Sequence, residues 1–172
     1  MNVDQIVKLK KISQQLRRSV IRELSAAGSG HSAGCLGFAD VMAVLYFYAM
    51  RLDPENPNWE DRDIFVMSNG HYAPLLYATL AERGFFDKKE LINLRKFGSK
   101  LQGHPERGSL PGIETTSGPL GCGLSQAAGM AYSLQYLGGN SERFVYCSLG
   151  DGELDEGNIW EAAMFAKKYN LA

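Results

Sequence analysis

All three histidines of the chain follow a glycine, as Gly30-His31, Gly70-His71 and Gly103-His104. With 19 glycines in 172 residues, three such pairs arise by chance about once in seven hundred, so together they weigh as a motif. Each pair alone is an ordinary polar loop. A histidine beside a glycine lets a ligand approach the backbone closely, and its imidazole can donate to an anion or move a proton near neutral pH. His71 gains further from its place just past the apolar run Ile64-Phe65-Val66-Met67, because open parallel sheets take their ligands at strand ends. A second constellation is Leu149-Gly150-Asp151-Gly152-Glu153. An Asp between glycines at a strand end can hold Mg²⁺ while the following backbone N–H groups face a phosphate, although Asp-Gly is also a common turn. The third is the segment from Glu114 to Gly123, which leads directly into a helix. It presents backbone groups to a flat or anionic ligand, or serves as a rigid connection. It is not a dinucleotide fingerprint, since Gly121-x-Gly123 lacks both a preceding strand and the third glycine.

The elements that position these residues follow from periodicity. Ile6, Leu9, Ile12, Leu16, Val20 and Leu24 recur at three- and four-residue steps, which predicts an amphipathic helix ending at Ala27-Gly28. A second helix is expected from near Phe38 through Tyr48, apolar around its girth and hence largely buried. Ile64 to Met67 and Phe144 to Leu149 suit buried parallel strands. A helix carries Leu75, Leu76 and Leu80 to Gly84, and Asp87 with Glu90 resembles a capping box opening a helix to about Lys96. Gly98 to Gly121 holds six glycines and three prolines and reads as one long loop, of the kind that is usually functional or disordered. Further helices are expected over Gly123 to Leu137, stopping at Gly138-Gly139-Asn140, and over Asn158 to Tyr169. Strand, glycine turn and helix, twice over, predict an α/β domain with a parallel sheet.

Composition narrows the function. Eighteen basic against nineteen acidic residues give a formal net charge of −1, which leaves no global positive field for nonspecific nucleic-acid binding. The longest apolar run, Val41 to Met50, has ten residues, short of the roughly 20 of a membrane-spanning helix. The first thirty residues lack the apolar core of a secretory signal, so the expected location is cytoplasmic. Cys35, Cys122 and Cys147 are too far apart for a zinc site and read as reduced thiols.

In this order, Gly30-His31-Ser32-Ala33-Gly34, Ser68-Asn69-Gly70-His71, Gly103-His104-Pro105-Glu106, the Glu114 to Gly123 segment and Gly150-Asp151-Gly152-Glu153-Leu154-Asp155-Glu156-Gly157 resemble the amino-terminal part of the transketolases. These thiamine-diphosphate enzymes move two-carbon ketol units from a ketose phosphate to an aldose phosphate. The resemblance covers nearly the whole chain. It implies the thiamine-diphosphate-binding fold, a parallel sheet with helices on both faces. It implies Asp151 as a ligand of Mg²⁺, or of Ca²⁺ in its place, Gly152 offering its N–H to the diphosphate, and His71 contacting the diphosphate. Gly118, Pro119 and Leu120 would line the cofactor. His31 and His104 would face the sugar and assist proton transfers. Glu156 would be the interfacial acid linked to cofactor activation between paired sites.

The same resemblance brings departures. The family's diphosphate motif closes with an Asn roughly thirty residues beyond Gly-Asp-Gly, a family spacing, whereas Asn170 stands too near. Residues 1–172 are therefore expected to be a partial diphosphate-binding domain, truncated at its carboxyl end. It would be inactive without a carboxy-terminal transketolase subunit or domain that supplies the pyrimidine-binding part, and it would act in a dimer or heterotetramer. Ser32, Ala33 and Cys122 also depart from the family, which bears on substrate preference. Two other readings stand beside this one: a related ketol or acyl transferase, such as deoxyxylulose-phosphate synthase or dihydroxyacetone synthase, and a noncatalytic interaction fragment.

Overall fold

A computed structural model describes residues 1–138 and 142–171. Helix α1, Val3–Ala27, opens on a capping box in which the Asn2 side chain accepts from Gln5 N–H and the Gln5 side chain accepts from Asn2 N–H, at 2.9 and 2.8 Å. It closes at Gly28, whose φ of +66° is the left-handed conformation that favours glycine at a helix end. Its buried stripe is Leu9, Ser13, Leu16, Val20 and Glu23, while Ile6 is exposed. The stripe is thus part polar. Helix α2, Ala33–Val44, begins five residues before the expected start and runs on as one π-helical turn, Leu45–Ala49. It is less buried than its composition suggests. Cys35, Ala39, Met42 and Ala43 pack inward, but Val41, Val44 and Tyr48 are exposed.

Strands β1, Ile64–Met67, and β2, Val145–Ser148, pair in parallel with Ile64 opposite Val145 and Met67 opposite Ser148. Alternate side chains of β1 point to opposite faces. Phe65 and Met67 join the large core built with α1, α2 and helix α3, Ala73–Arg83. Ile64 and Val66 join a smaller core with Ala127, Met130 and Leu134 of α4, Cys122–Tyr136. The sheet therefore carries helices on both faces, and α5, Gly157–Lys168, packs on α4.

One expected helix is corrected. Lys88–Asn93 is a 3₁₀ helix, and no capping box forms: Asp87 accepts from Lys89 N–H at 2.9 Å, and Glu90 accepts from Asn93 instead. Two local side-chain bonds tighten a segment too short to nucleate an α-helix. The stretch from Gly98 to Gly121 has no regular structure, as expected. Helix α4 ends at Tyr136. Of the expected stop, Gly139 and Asn140 lie outside the described residues.

Candidate functional site

The turn after β1 packs against the Glu114 to Gly123 segment without room for a side chain. A Cβ on Gly70 would lie 2.9 Å from the Ser117 carbonyl carbon and 3.0 Å from Gly118 N. A glycine at this position is what brings His71, in the 3₁₀ turn Gly70–Tyr72, beside the glycine segment. Behind that turn, a Cβ on Gly34 would fall inside the Tyr72 ring. The first Gly-His loop thereby comes down onto the second. The His31 and His71 rings meet edge-on with centroids 5.1 Å apart, and Tyr72 stacks edge-on against His71 at 4.6 Å.

His104 joins them through its loop. The buried Tyr77 hydroxyl donates to the carbonyls of Gln102 and His104 at 2.9 and 3.3 Å, and Ser117 N–H donates to Pro105 O at 3.0 Å. Arg95 braces the two outer loops. Its guanidinium donates to Ser29 Oγ at 3.0 Å and lies 3.1 Å from where a Cβ of Gly103 would stand. Burial depresses His71, and the charges of His31 and His104 lower it further against an opposing pull from Glu153. Burial likewise lowers His104, with Arg95 and His31 adding to the effect. Both rings are thereby biased toward the neutral form, which offers one N–H donor and one acceptor nitrogen.

The Asp151 loop lies on the same side. Asp151 is exposed, its carboxylate holds no hydrogen bond or ion pair among the described residues, and its charge is felt by Tyr72. In front of Gly118 and Gly152 a Cβ would meet no atom within 4 Å. An uncommitted carboxylate beside Gly152, with open space before both Gly152 and Gly118, fits a diphosphate with its cation. No group of three His, Cys, Asp or Glu side chains gathers among the described residues. Pro119 and Leu120 are exposed beside Gly118. Glu156 is also exposed, at the head of α5, and is not among the charges that act on His71 or His104.

Sequence reasoning passed over Arg95, Tyr77 and above all Glu153. Glu153 is 1% exposed. Its carboxylate accepts from Gly121 N–H at 2.8 Å, from Gly150 N–H at 3.0 Å and from Ser68 Oγ. Ser68 Oγ in turn accepts from Gly123 N–H at 3.0 Å, and Ser148 Oγ donates to Asn69 Oδ1 at 2.7 Å. None of these partners is near in sequence, apart from Gly150. The sequence marks Glu153 only as a member of the Gly150 to Gly157 segment, an acidic residue ahead of a helix, and assigns it no role.

Residues 8–172 match the family described as "Transketolase, thiamine diphosphate binding domain". The chain is 49% identical over 163 residues to the transketolase of Homo sapiens, a match covering 95% of this chain and 26% of that protein. It is 42% identical over 163 residues to the 6-deoxy-6-sulfo-D-fructose transketolase subunit SqwG of Clostridium sp. (strain MSTE9), covering 95% of this chain and 58% of that subunit. The crystal structure of transketolase from Campylobacter jejuni superposes with a TM-score of 0.86 at 36% identity, over 98% of this chain and 27% of that one. The chain thus spans about a quarter of the length of the full-length relatives. Among the described residues, no helix is long and apolar enough to cross a membrane.

Proposed function

Because this chain belongs to the family of transketolase thiamine diphosphate binding domains, we propose that it carries the diphosphate- and metal-binding share of a transferase that moves a two-carbon ketol unit from a ketose phosphate to an aldose phosphate. Its parallel sheet with helices on both faces is the fold of that family. One observation supports the reading most. The His31 and His71 rings are in contact, the glycine before His71 packs against Gly118, and Tyr72 beside His71 feels the charge of the uncommitted Asp151.

Each residue then has a task its surroundings suit. Asp151 ligates Mg²⁺, or Ca²⁺ in its place, and Gly152 N–H meets the diphosphate in the open space before it. His71 donates to the diphosphate from a neutral ring. Gly118, Pro119 and Leu120 line the cofactor. When bound, thiamine diphosphate supplies the carbanion that attacks the ketose and the electron sink that follows cleavage. His31 and His104 face the sugar, where an imidazole can donate to one hydroxyl or take the proton of another. Glu156 is left for a surface contributed by a partner. Trp160, Met164 and Phe165 of α5, all exposed, form an apolar patch toward which such a pairing can turn. Cys35, Cys122 and Cys147 are unpaired, the state a reducing cytoplasm maintains.

On this reading turnover calls for the pyrimidine-binding part of the enzyme, since the chain spans about a quarter of the full-length relatives. The test assays ketol transfer between sugar phosphates with this chain alone and with a transketolase pyrimidine-binding half added as a separate polypeptide. Activity is expected only in the mixture, and only with both thiamine diphosphate and Mg²⁺. Turnover by the chain alone, or a mixture indifferent to thiamine diphosphate, would sink the reading.

A further inference from the structure

The Gly118 segment leads into α4 and the Asp151 loop follows β2, so the two are separated in the chain by both elements. One buried side chain, Glu153, bonds to both. Three donors converge on the two oxygens of Glu153: Gly121 N–H and Ser68 Oγ on one, Gly150 N–H on the other. The Ser68 hydroxyl extends the link to Gly123 N–H at the first turn of α4 and to the end of β1. We propose that Glu153 is a positioning residue that fixes the distance between the glycine segment and the Asp151 loop before any cofactor arrives.

The chemistry favours a carboxylate over any other side chain of its size. It accepts on both oxygens and donates nothing, so it can satisfy backbone N–H groups from two loops at once. The site is buried, where an unpaired N–H is expensive and a filled one rigidifies its surroundings. The inference rests on the reading of these two loops as the cofactor's binding groups. Its structural content, that one carboxylate holds two loops in register, can be measured without the cofactor.

Glutamine at position 153 separates the two links. Its one oxygen keeps Gly121 N–H and Ser68 Oγ, while its amide nitrogen faces Gly150 N–H, donor against donor. Alanine removes both links. The experiment is NMR-detected hydrogen exchange on the whole chain for wild type, Glu153→Gln and Glu153→Ala, with the amides of Val20 and Leu80 as internal controls for the large core. In Glu153→Gln, Gly150 should exchange faster by on the order of ten-fold while Gly121 and both controls keep their protection. In Glu153→Ala, Gly121, Gly123 and Gly150 should all accelerate. Retention of Gly121 by the conservative variant distinguishes positioning from a general contribution to stability. Equal acceleration of Gly121, Gly150 and the controls in Glu153→Gln overturns the proposal, as does unchanged exchange at Gly150. If Glu153→Ala does not fold, the glutamine variant alone decides by the same outcomes. Calorimetric titration of wild type with thiamine diphosphate and Mg²⁺ completes the test. Binding that weakens in Glu153→Gln supports the proposal in full. The expected exchange pattern without binding by wild type supports the link between the loops and counts against the cofactor reading instead.

Discussion

The imidazole of His31 meets that of His71 edge-on at 5.1 Å, although α2 and β1 lie between them in the chain. Two rings this close cannot both be charged without repulsion, and burial already depresses His71. His31→Ala should therefore let His71 titrate at a higher pH than in wild type, while burial, the larger cause, keeps it below the ordinary value of 6.5. Ring-proton NMR titrations of both proteins check this, and a His71 transition that stays put or falls contradicts it. The sign for stability follows. A native His71 with a lowered pKa binds fewer protons than the unfolded chain, so its contribution is present above 6.5 and is lost as pH falls from there through the lowered native value.

Glu23 titrates in the opposite sense. It sits in α1 with no exposed surface, neither carboxyl oxygen has a hydrogen-bond partner, and burial pushes it up to about 10. Cys35 from α2 and Tyr77 from α3 feel its charge once it ionises, and no cation among the described residues opposes the shift. The folded carboxyl holds its proton where the unfolded one, near 4.5, has lost it, so stability drains as pH rises through that interval. Denaturant unfolding at pH 5 and pH 9 should show a loss in wild type on the order of 5 kcal/mol. Glu23→Gln should flatten that difference. Equal pH dependence in the two proteins would show that Glu23 is not the group responsible.

Gly70→Ala tests how His71 is placed. Its Cβ would press on the backbone of Ser117 and Gly118 rather than on a flexible side-chain tip, so one of the two segments must move. The expected loss of stability is about 1–3 kcal/mol, typical of overpacking. In the NMR spectrum, the largest shifts should gather at His71, Ser117 and Gly118. A variant with wild-type thermal stability and unmoved Ser117 resonances would mean that the contact is slack.

Several of these features were legible in sequence for a physical reason. Ile64 to Met67 are buried on both faces of a parallel sheet, and a strand buried twice reads as an unbroken apolar run. The Gly-His pairs, the Glu114 to Gly123 segment and Asp151 could be picked out as local patterns. The start of α2 could not. Gly34 and Gly37 argue against helix by propensity, yet Gly34 stands there because the Tyr72 ring occupies the space of its Cβ. Arg95 and Glu153 were equally hidden, since everything that gives them a role, Ser29 and Gly103 for one, Ser68 and Gly121 for the other, arrives from distant segments. Periodicity and spacing report on neighbours in sequence, and these contacts are tertiary.

Asp151 and His104 should fail differently once the chain is completed by a pyrimidine-binding half. Asp151 is the uncommitted carboxylate at the Gly150-Gly152 turn, so Asp151→Asn weakens a cation site that already draws on few protein ligands and is filled jointly with diphosphate. Mass action then applies, and excess Mg²⁺ and thiamine diphosphate should restore much of the activity. His104 is held over the site by the Tyr77 hydroxyl on its own carbonyl, and burial keeps its ring biased toward neutrality. Removing a positioned proton carrier or donor costs on the order of 10² to 10⁴ in rate. That loss in His104→Ala should persist at any cofactor concentration, because occupancy is not what was damaged. Titrating both variants with thiamine diphosphate at saturating Mg²⁺, following binding and ketol transfer in the same samples, separates the two roles. Full recovery of His104→Ala at high cofactor, together with normal binding by Asp151→Asn, would reverse the assignment.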